Sequence, residues 1–193
     1  MTDVRNILLA DDDPNDVHIV KAAFARAGYD FPFFVVPNGE QAIAYLRGEG
    51  NYSDRRTFPI PSLLLLDLKM PSIDGFDVLR WVRNHPEWRA LPVIVLTNSY
   101  YGPDINRAYD LGANSFLTKP GDFEQYVGAV KQVAHFWLVQ NVYPEVGPFV
   151  IVPDPQNQLT GTSPEPRSSM EGRTEPAGTS VEQSFLAGPP QQK

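Results

Sequence analysis

Four consecutive leucines, Leu63 to Leu66, followed at once by Asp67, constrain the fold more than any other stretch of the chain. An unbroken apolar run this short fits a strand buried on both faces of a parallel sheet, although a buried helix segment would match it too. Pro61-Ser62 before the run and the Met70-Pro71 turn after it favour the strand. Asp67 is then placed by solvation. A carboxylate is costly inside a core, so it belongs at the strand's carboxyl end, in the crevice where open α/β sheets bind ligands. Capping of the following turn or helix would also account for one acidic strand end, and that reading stays open for Asp67 taken alone.

The same grammar recurs along the chain. Residues 6–10 (N-I-L-L-A) are a short apolar run that stops at Asp11, Asp12 and Asp13. Asp13 before Pro14 is a helix start, since Asp accepts free amide hydrogens and proline suits the first helical position. The spacing of Val17, Val20, Phe24 and Ala27 predicts a helix over 14–27, closed by Gly28. That assigns Asp13 and Asp16 to the helix start. Asp11 and Asp12 remain, either as a solvated acidic turn or as adjacent carboxylates that a cation or proton must neutralise.

Residues 33–36 (F-F-V-V) read as a second strand with a turn at Asn38-Gly39, then a helix over 40–47 burying Ile43, Ala44 and Leu46. Residues 48–61 are polar and read as a surface loop with Arg55 and Arg56 in solvent. After the leucine strand comes a helix over 74–84 with Phe76, Leu79, Val82 and Trp81 facing inward, ended at His85-Pro86. His85 reads as a surface histidine. Residues 92–96 (P-V-I-V-L) form a fourth strand ending in Thr97. A short helix over 104–111 follows, then a fifth strand over 115–117 leading into Thr118 and Lys119. The last helix, over 122–140, carries Phe123, Val127, Val130, Ala134 and Trp137 on one stripe. Five alternations of strand and helix imply a parallel sheet covered on both faces, a doubly wound α/β fold.

Composition excludes several function classes. Of 193 residues none is cysteine, so disulfides, thiol nucleophiles and thiolate metal sites are ruled out. A net charge of −7 gives no electrostatic footprint for nucleic acid. No apolar stretch approaches the ~18 residues of a membrane span, and the polar first residues show no signal peptide. The expected location is the cytoplasm. From Pro144 the composition shifts, with nine of the 19 prolines in the last quarter. Residues 1–143 are therefore expected to form one domain and 144–193 a tail, mostly disordered from about Pro153. Two apolar patches stand out in that tail: F-V-I-V at 149–152, and Val181 with Phe185-Leu186.

Four strand runs end in polar residues at one sheet edge: Asp11 and Asp12, Asp67, Thr97, and Lys119. A core needs no such gathering. The chemistry these groups suit is phosphoryl transfer to a carboxylate, with Asp67 as nucleophile. Asp11 and Asp12 would hold Mg²⁺, a hard cation that takes oxygen ligands. Lys119 would supply a positive charge for phosphoryl oxygens and Thr97 a hydroxyl donor.

The blocks D-D, L-L-D-L-K-M-P, T-N-S and L-T-K-P, in that order from Val4 to Gln140, resemble the receiver domain of two-component response regulators. The resemblance implies a flavodoxin-like (βα)5 fold with strand order 2-1-3-4-5, and Asp67 as acceptor from a phosphohistidine on a sensor histidine kinase. It adds the Lys69 backbone carbonyl to the metal ligands Asp11, Asp12 and Asp67, and makes Thr97 and Phe116 the switch pair. Phe116 lacks the hydroxyl of the tyrosine often found there, so it can report rotation only by packing. The long 48–61 loop and the F-W-L of Phe136 to Leu138 resemble small stand-alone receivers that partner phytochrome-type kinases. Such a protein is a phosphoacceptor rather than an enzyme, although it catalyses its own phosphorylation and dephosphorylation. Its output partners would be a second copy of the chain or a histidine phosphotransfer protein. Phe136 and Trp137 read equally as one core and one incidentally exposed aromatic or as part of a dimer interface.

Two other classes fit less well. A phosphate-independent binding module would be signalled by loss of Asp67 or Lys119, and both are present. Hydrolases with an aspartyl-phosphate intermediate place a second Asp two residues after the nucleophile, where this chain has Lys69. There is no G-x-x-x-x-G-K-[ST] loop for a P-loop nucleotide hydrolase, and no DNA-binding output segment.

Overall fold

A computed structural model describes residues 5–143. The tail beyond Tyr143, with the patches at 149–152 and 181–186, lies outside the described residues, as do the first four. The chain alternates β1 (Ile7–Ala10), α1 (Pro14–Arg26), β2 (Phe33–Val36), α2 (Gly39–Arg47), β3 (Leu63–Leu66), α3 (Gly75–Asn84), β4 (Val93–Thr97), α4 (Gly102–Asp110), β5 (Ser115–Thr118) and α5 (Phe123–Val133). All strands are parallel, in the order β2-β1-β3-β4-β5. The flavodoxin-like expectation is borne out.

Why β3 sits at the centre follows from its four leucines. Leu64 and Leu66 join Leu8, Ala10, Ala42, Tyr45, Val78, Leu79 and Val82 under α2 and α3. Leu63 and Leu65 point the other way, into Ile7, Leu9, Phe24, Ile94 and Val130 under α1 and α5. Side chains alternate faces along a strand, so only a strand covered on both sides can be apolar at every position. Each buried leucine contributes about 1.5–3 kcal/mol relative to exposure.

Helix starts follow the local chemistry. The Asp13, Asn38, Asp74 and Asp122 side chains each accept a backbone amide of the first turn of α1, α2, α3 and α5. Several sequence expectations shift. The buried residues of α2 are Gly39, Ala42, Tyr45 and Leu46, with Ile43 and Ala44 only half-buried. Helix α4 begins at Gly102, two residues before Asp104, because Pro103 occupies an early helical position.

Helix α5 departs furthest. Its α-helical part ends at Val133 and continues as a π-helix over Ala134–Gln140. The wider turn changes which residues share a face. The core side carries Tyr126, Val130, Val133, Ala134 and Leu138, while Phe123 is exposed and Trp137 half-buried. Phe136 is also exposed, its ring edge-on to Trp137.

The 48–61 loop is not simply solvated. Tyr52 and Phe58 pack in an aromatic cluster with Tyr45 and Phe34. Arg55 lies against the end of α2, donating to the carbonyls of Tyr45 at 2.8 Å and Leu46 at 2.5 Å. Last-turn carbonyls lack their regular helical donors. The Tyr45 one accepts the Gly48 amide at 3.1 Å, and the guanidinium supplements that bond, bonds Leu46 and complements the helix dipole. Arg56 is exposed, as expected. His85 is also partnered: its ring stacks on Trp81 and its Nδ1 lies 2.7 Å from the Trp81 carbonyl oxygen. Trp88, which the sequence pattern left unassigned, is almost fully buried beneath α3.

Candidate phosphoryl-acceptor site

The parallel register brings the strand ends level. Ala10 pairs with Leu66, Leu66 with Val95, and Val95 with Phe116. Asp11 and Asp67 are the next residues of β1 and β3, and the Asp67 amide donates to the Ala10 carbonyl at 2.9 Å. The Lys119 amide likewise donates to the Thr97 carbonyl at 2.8 Å. The backbone ladder thus runs one step past the strands and sets Asp11, Asp67, Thr97 and Lys119 side by side. With Asp12 and Lys69 they line a cleft of about 220 Å³.

Inside it the charges are short of water. Asp11, Asp67, Thr97 and Lys119 are buried, whereas Asp12 is exposed at the rim. Lys119 Nζ donates to Asp11 Oδ2 at 2.7 Å and to Asp16 Oδ2 at 2.7 Å, and stands 3.4 Å from Asp67 Oδ1. Asp67 Oδ2 accepts the Lys69 amide at 2.8 Å, which fixes the carboxylate plane. Asp11 Oδ1 accepts the Asp13 amide at 3.0 Å.

These contacts set the protonation states. Burial alone would discharge the Lys119 ammonium, but the hydrogen bonds to Asp11 and Asp16, with Asp67 nearby, outweigh it and hold the group above its ordinary range. Burial pushes the Asp11 carboxyl up, while Lys119 and the Asp13 amide pull it back without cancelling the rise. One ammonium therefore faces a surplus of carboxylates.

Among the described residues no trio of Asp, Glu and His side chains is already drawn together as a metal site. Asp11, Asp16 and Asp67 converge instead on the Lys119 ammonium. The donor chemistry nevertheless fits a hard divalent cation. Asp11, Asp12 and Asp67 offer only oxygen, the cleft has room for an ion with bound water, and negative charge is in excess.

Of the residues singled out from sequence, Asp11, Asp12, Asp67, Lys69, Thr97 and Lys119 share the cleft. Phe116 does not. It packs half-buried on Leu68, Phe76, Val95 and Ala108, beneath α4. Thr97 Oγ1 accepts a long hydrogen bond from the Ser99 amide at 3.4 Å. Two further groups were missed. Asp16 turns from the first turn of α1 back into the cleft, also accepting from Asn98 Nδ2 at 3.4 Å. The signal for it was its position: a first-turn residue of a helix that starts at the sheet's carboxyl edge faces the crevice. Tyr126 of α5 is buried with a hydroxyl that has no partner among the described residues. Burial pushes its phenol up, the Asp16, Asp11 and Asp67 carboxylates add to the rise, and the Lys119 ammonium opposes it. Nothing in the sequence separates that tyrosine from an ordinary core aromatic.

A five-stranded parallel sheet with an acidic cluster, a buried lysine and a strand-end threonine at its carboxyl edge defines the receiver class. The response regulator receiver domain model matches residues 7–131, and the chain belongs to that family. Among curated relatives it is similar to response regulator Rcp1 of Synechocystis, 33% identical over 132 residues that cover 68% of this chain and 88% of Rcp1. The Mn(2+)-bound form of Rcp1 superposes with a TM-score of 0.65 at 31% identity, covering 72% of this chain and 99% of that one. Response regulator RPA3017 in red light signaling of R. palustris gives a TM-score of 0.70 at 36% identity, covering 74% and 99%. The phosphorylated cyanobacterial phytochrome response regulator RcpA gives 0.67 at 34% identity, covering 72% and 98%. The chain is thus a receiver of the two-component kind, similar to phytochrome response regulators.

Proposed function

We propose that this receiver accepts a phosphoryl group on Asp67 from a phosphohistidine of a sensor histidine kinase, and signals through altered protein contacts. The observation that carries the reading is the buried Asp67 carboxylate, oriented by the Lys69 amide, with a buried ammonium 3.4 Å away. An Asp67 oxygen attacks phosphorus as the P–N bond of the donor breaks, and the electron pair leaves with the imidazole, which takes up a proton. Phosphoryl transfer needs mainly positioning and charge stabilisation, and the chain's own groups supply both. The Lys119 ammonium bonds phosphoryl oxygens and the Thr97 hydroxyl donates to another. Mg²⁺ held by Asp11, Asp12, Asp67 and the Lys69 carbonyl would neutralise charge on the transferring group when bound.

The acyl phosphate adds about −1.5 to −2 charges at the strand edge. Drawing Thr97 inward opens space on the side where Phe116 packs, so the surface of α4 and β5 is remodelled. The partner is read as a phytochrome-type kinase, because the similar structures are described as phytochrome or red-light response regulators. The output would be self-association or transfer to a histidine phosphotransfer protein, in the cytoplasm, with no nucleic-acid contact.

The test is incubation with Mg²⁺ and acetyl phosphate, followed by intact mass of wild type and Asp67→Asn, with size-exclusion elution in parallel. A Mg²⁺-dependent gain of one phosphoryl group that the variant lacks is expected. No gain, either with acetyl phosphate or with a set of phosphorylated histidine kinases, would leave a phosphate-independent module.

A further inference from the structure

The least explained contact in the cleft is the one between Lys119 and Asp16. Helix α1 does not need it. Asp13 already caps that helix, accepting the Asn15 amide at 2.8 Å, and Pro14 fills the first helical position. A carboxylate in the first turn interacts well with the helix dipole from an exposed rotamer. Asp16 turns inward instead and takes one of the two shortest bonds the ammonium makes.

The three carboxylates around Lys119 are not equivalent. Two sit at 2.7 Å, the length of a strong charge-assisted hydrogen bond. Asp67, the acceptor, is at 3.4 Å, beyond that range. The ammonium is therefore drawn off the very residue whose phosphoryl oxygens it would bond, and its charge is spent on two neighbours. To meet a phosphoryl group it must loosen one of the two short bonds. Asp11 is the poorer candidate: its side chain is only 1% exposed, so water reaches it less readily to replace the ammonium. Asp16 is 22% exposed and already has the Asn98 amide at 3.4 Å as a second donor. A carboxylate that can exchange one donor for water loses little by releasing it.

We infer that Asp16 is a positioning residue: it tethers Lys119 away from Asp67 at rest, and release of that tether sets how fast the acceptor is charged. The inference rests on the phosphoacceptor reading of Asp67. Asp16 touches neither the phosphoryl group nor the nucleophile and acts through Lys119 alone. Removing its charge frees the ammonium for phosphoryl oxygens and lowers the negative field that an incoming phosphate anion meets.

The test compares the full chain as wild type, Asp16→Asn, Asp16→Ser and Asp16→Glu. Phosphorylation by acetyl phosphate would be followed by intact mass at saturating Mg²⁺, so that altered metal affinity cannot imitate the effect. Asp16→Asn and Asp16→Ser should accept roughly threefold to tenfold faster, the scale expected from one charge-assisted bond. Asp16→Glu, which restores the charge, should return toward the wild-type rate. The ¹⁵Nζ resonance of Lys119, read without Mg²⁺ or phosphodonor, should move in Asp16→Asn and move back in Asp16→Glu. A mere weakening of the helix start would not do that. Charging of wild type with equal or slower charging of both neutral variants would overturn the tether while leaving the receiver reading intact. Equal acceleration in Asp16→Glu would overturn it as well. If wild type itself takes no phosphoryl group from acetyl phosphate or from phosphorylated histidine kinases, the receiver reading falls and the tether with it.

Discussion

Asp11 is the residue on which the electrostatics of the cleft turn. Its carboxyl is held above the ordinary 3.8 by burial, with Lys119 and the Asp13 amide opposing. A carboxyl whose folded pKa is raised contributes stability fully below its unfolded value, and loses that contribution as pH rises through the folded value. Wild type should therefore be less stable at pH 7, in chelator, than Asp11→Asn. The gap should close as pH falls toward 4. Urea midpoints across that range check it, and a gap that widened on acidification would show that the Lys119 pair dominates instead. Gly75 imposes a different constraint at the same scale. A Cβ there would lie 2.2 Å from the Asp67 carbonyl oxygen, so only glycine lets α3 begin against the acceptor's own backbone.

At the scale of elements, the loop after α2 behaves as a cap. Arg55 donates to the carbonyls of Tyr45, Leu46 and Phe58, and the helix ends at Gly48 in a left-handed conformation, φ 70°. Hydrogen bonds from a charged donor contribute about 1.5–3 kcal/mol. Arg55→Met should lower the urea midpoint by an equivalent of about 2 kcal/mol, with the slope unchanged, whereas the exposed Arg56→Met should stay within about 0.5 kcal/mol. Equal losses in the two variants would mean that Arg55 does not cap. A comparable hidden contact joins α3 to the loop between α4 and β5: Arg83 Nε donates to the Gly112 carbonyl at 2.9 Å, and Nη2 to Asn114 Oδ1 at 2.8 Å. No periodicity announces either arginine, because both are polar residues working through their reach.

For the whole molecule, a divalent cation should link folding to the site. A ligand that binds only the folded state stabilises it by about 2.7 kcal/mol at a hundred times its Kd. Mg²⁺ should therefore raise Tm by several degrees in wild type, and much less in Asp11→Asn, which starts from a higher value in chelator. A thermal melt with Mg²⁺ and with EDTA decides it; equal rises in both proteins would place the ion elsewhere.

Much of this molecule could be read from its sequence, and for a local reason. Short apolar runs ending in Asp11, Asp67, Thr97 and Lys119 encode both the strands and the edge at which they stop, because burial forbids charge within the run and solvation demands it beyond. Parallel register then aligns those ends without further instruction. Asp16 joining Lys119, Arg55 folding back on α2, the π-helical end of α5 over Ala134–Gln140, and the Tyr126 hydroxyl without a partner among the described residues were decided only by tertiary structure. The partners lie beyond the reach of a local pattern, 9 residues apart for Arg55 and Leu46 and 103 for Asp16 and Lys119. A pattern of polar and apolar residues records which face is wet; it does not record which partner waits on the other side.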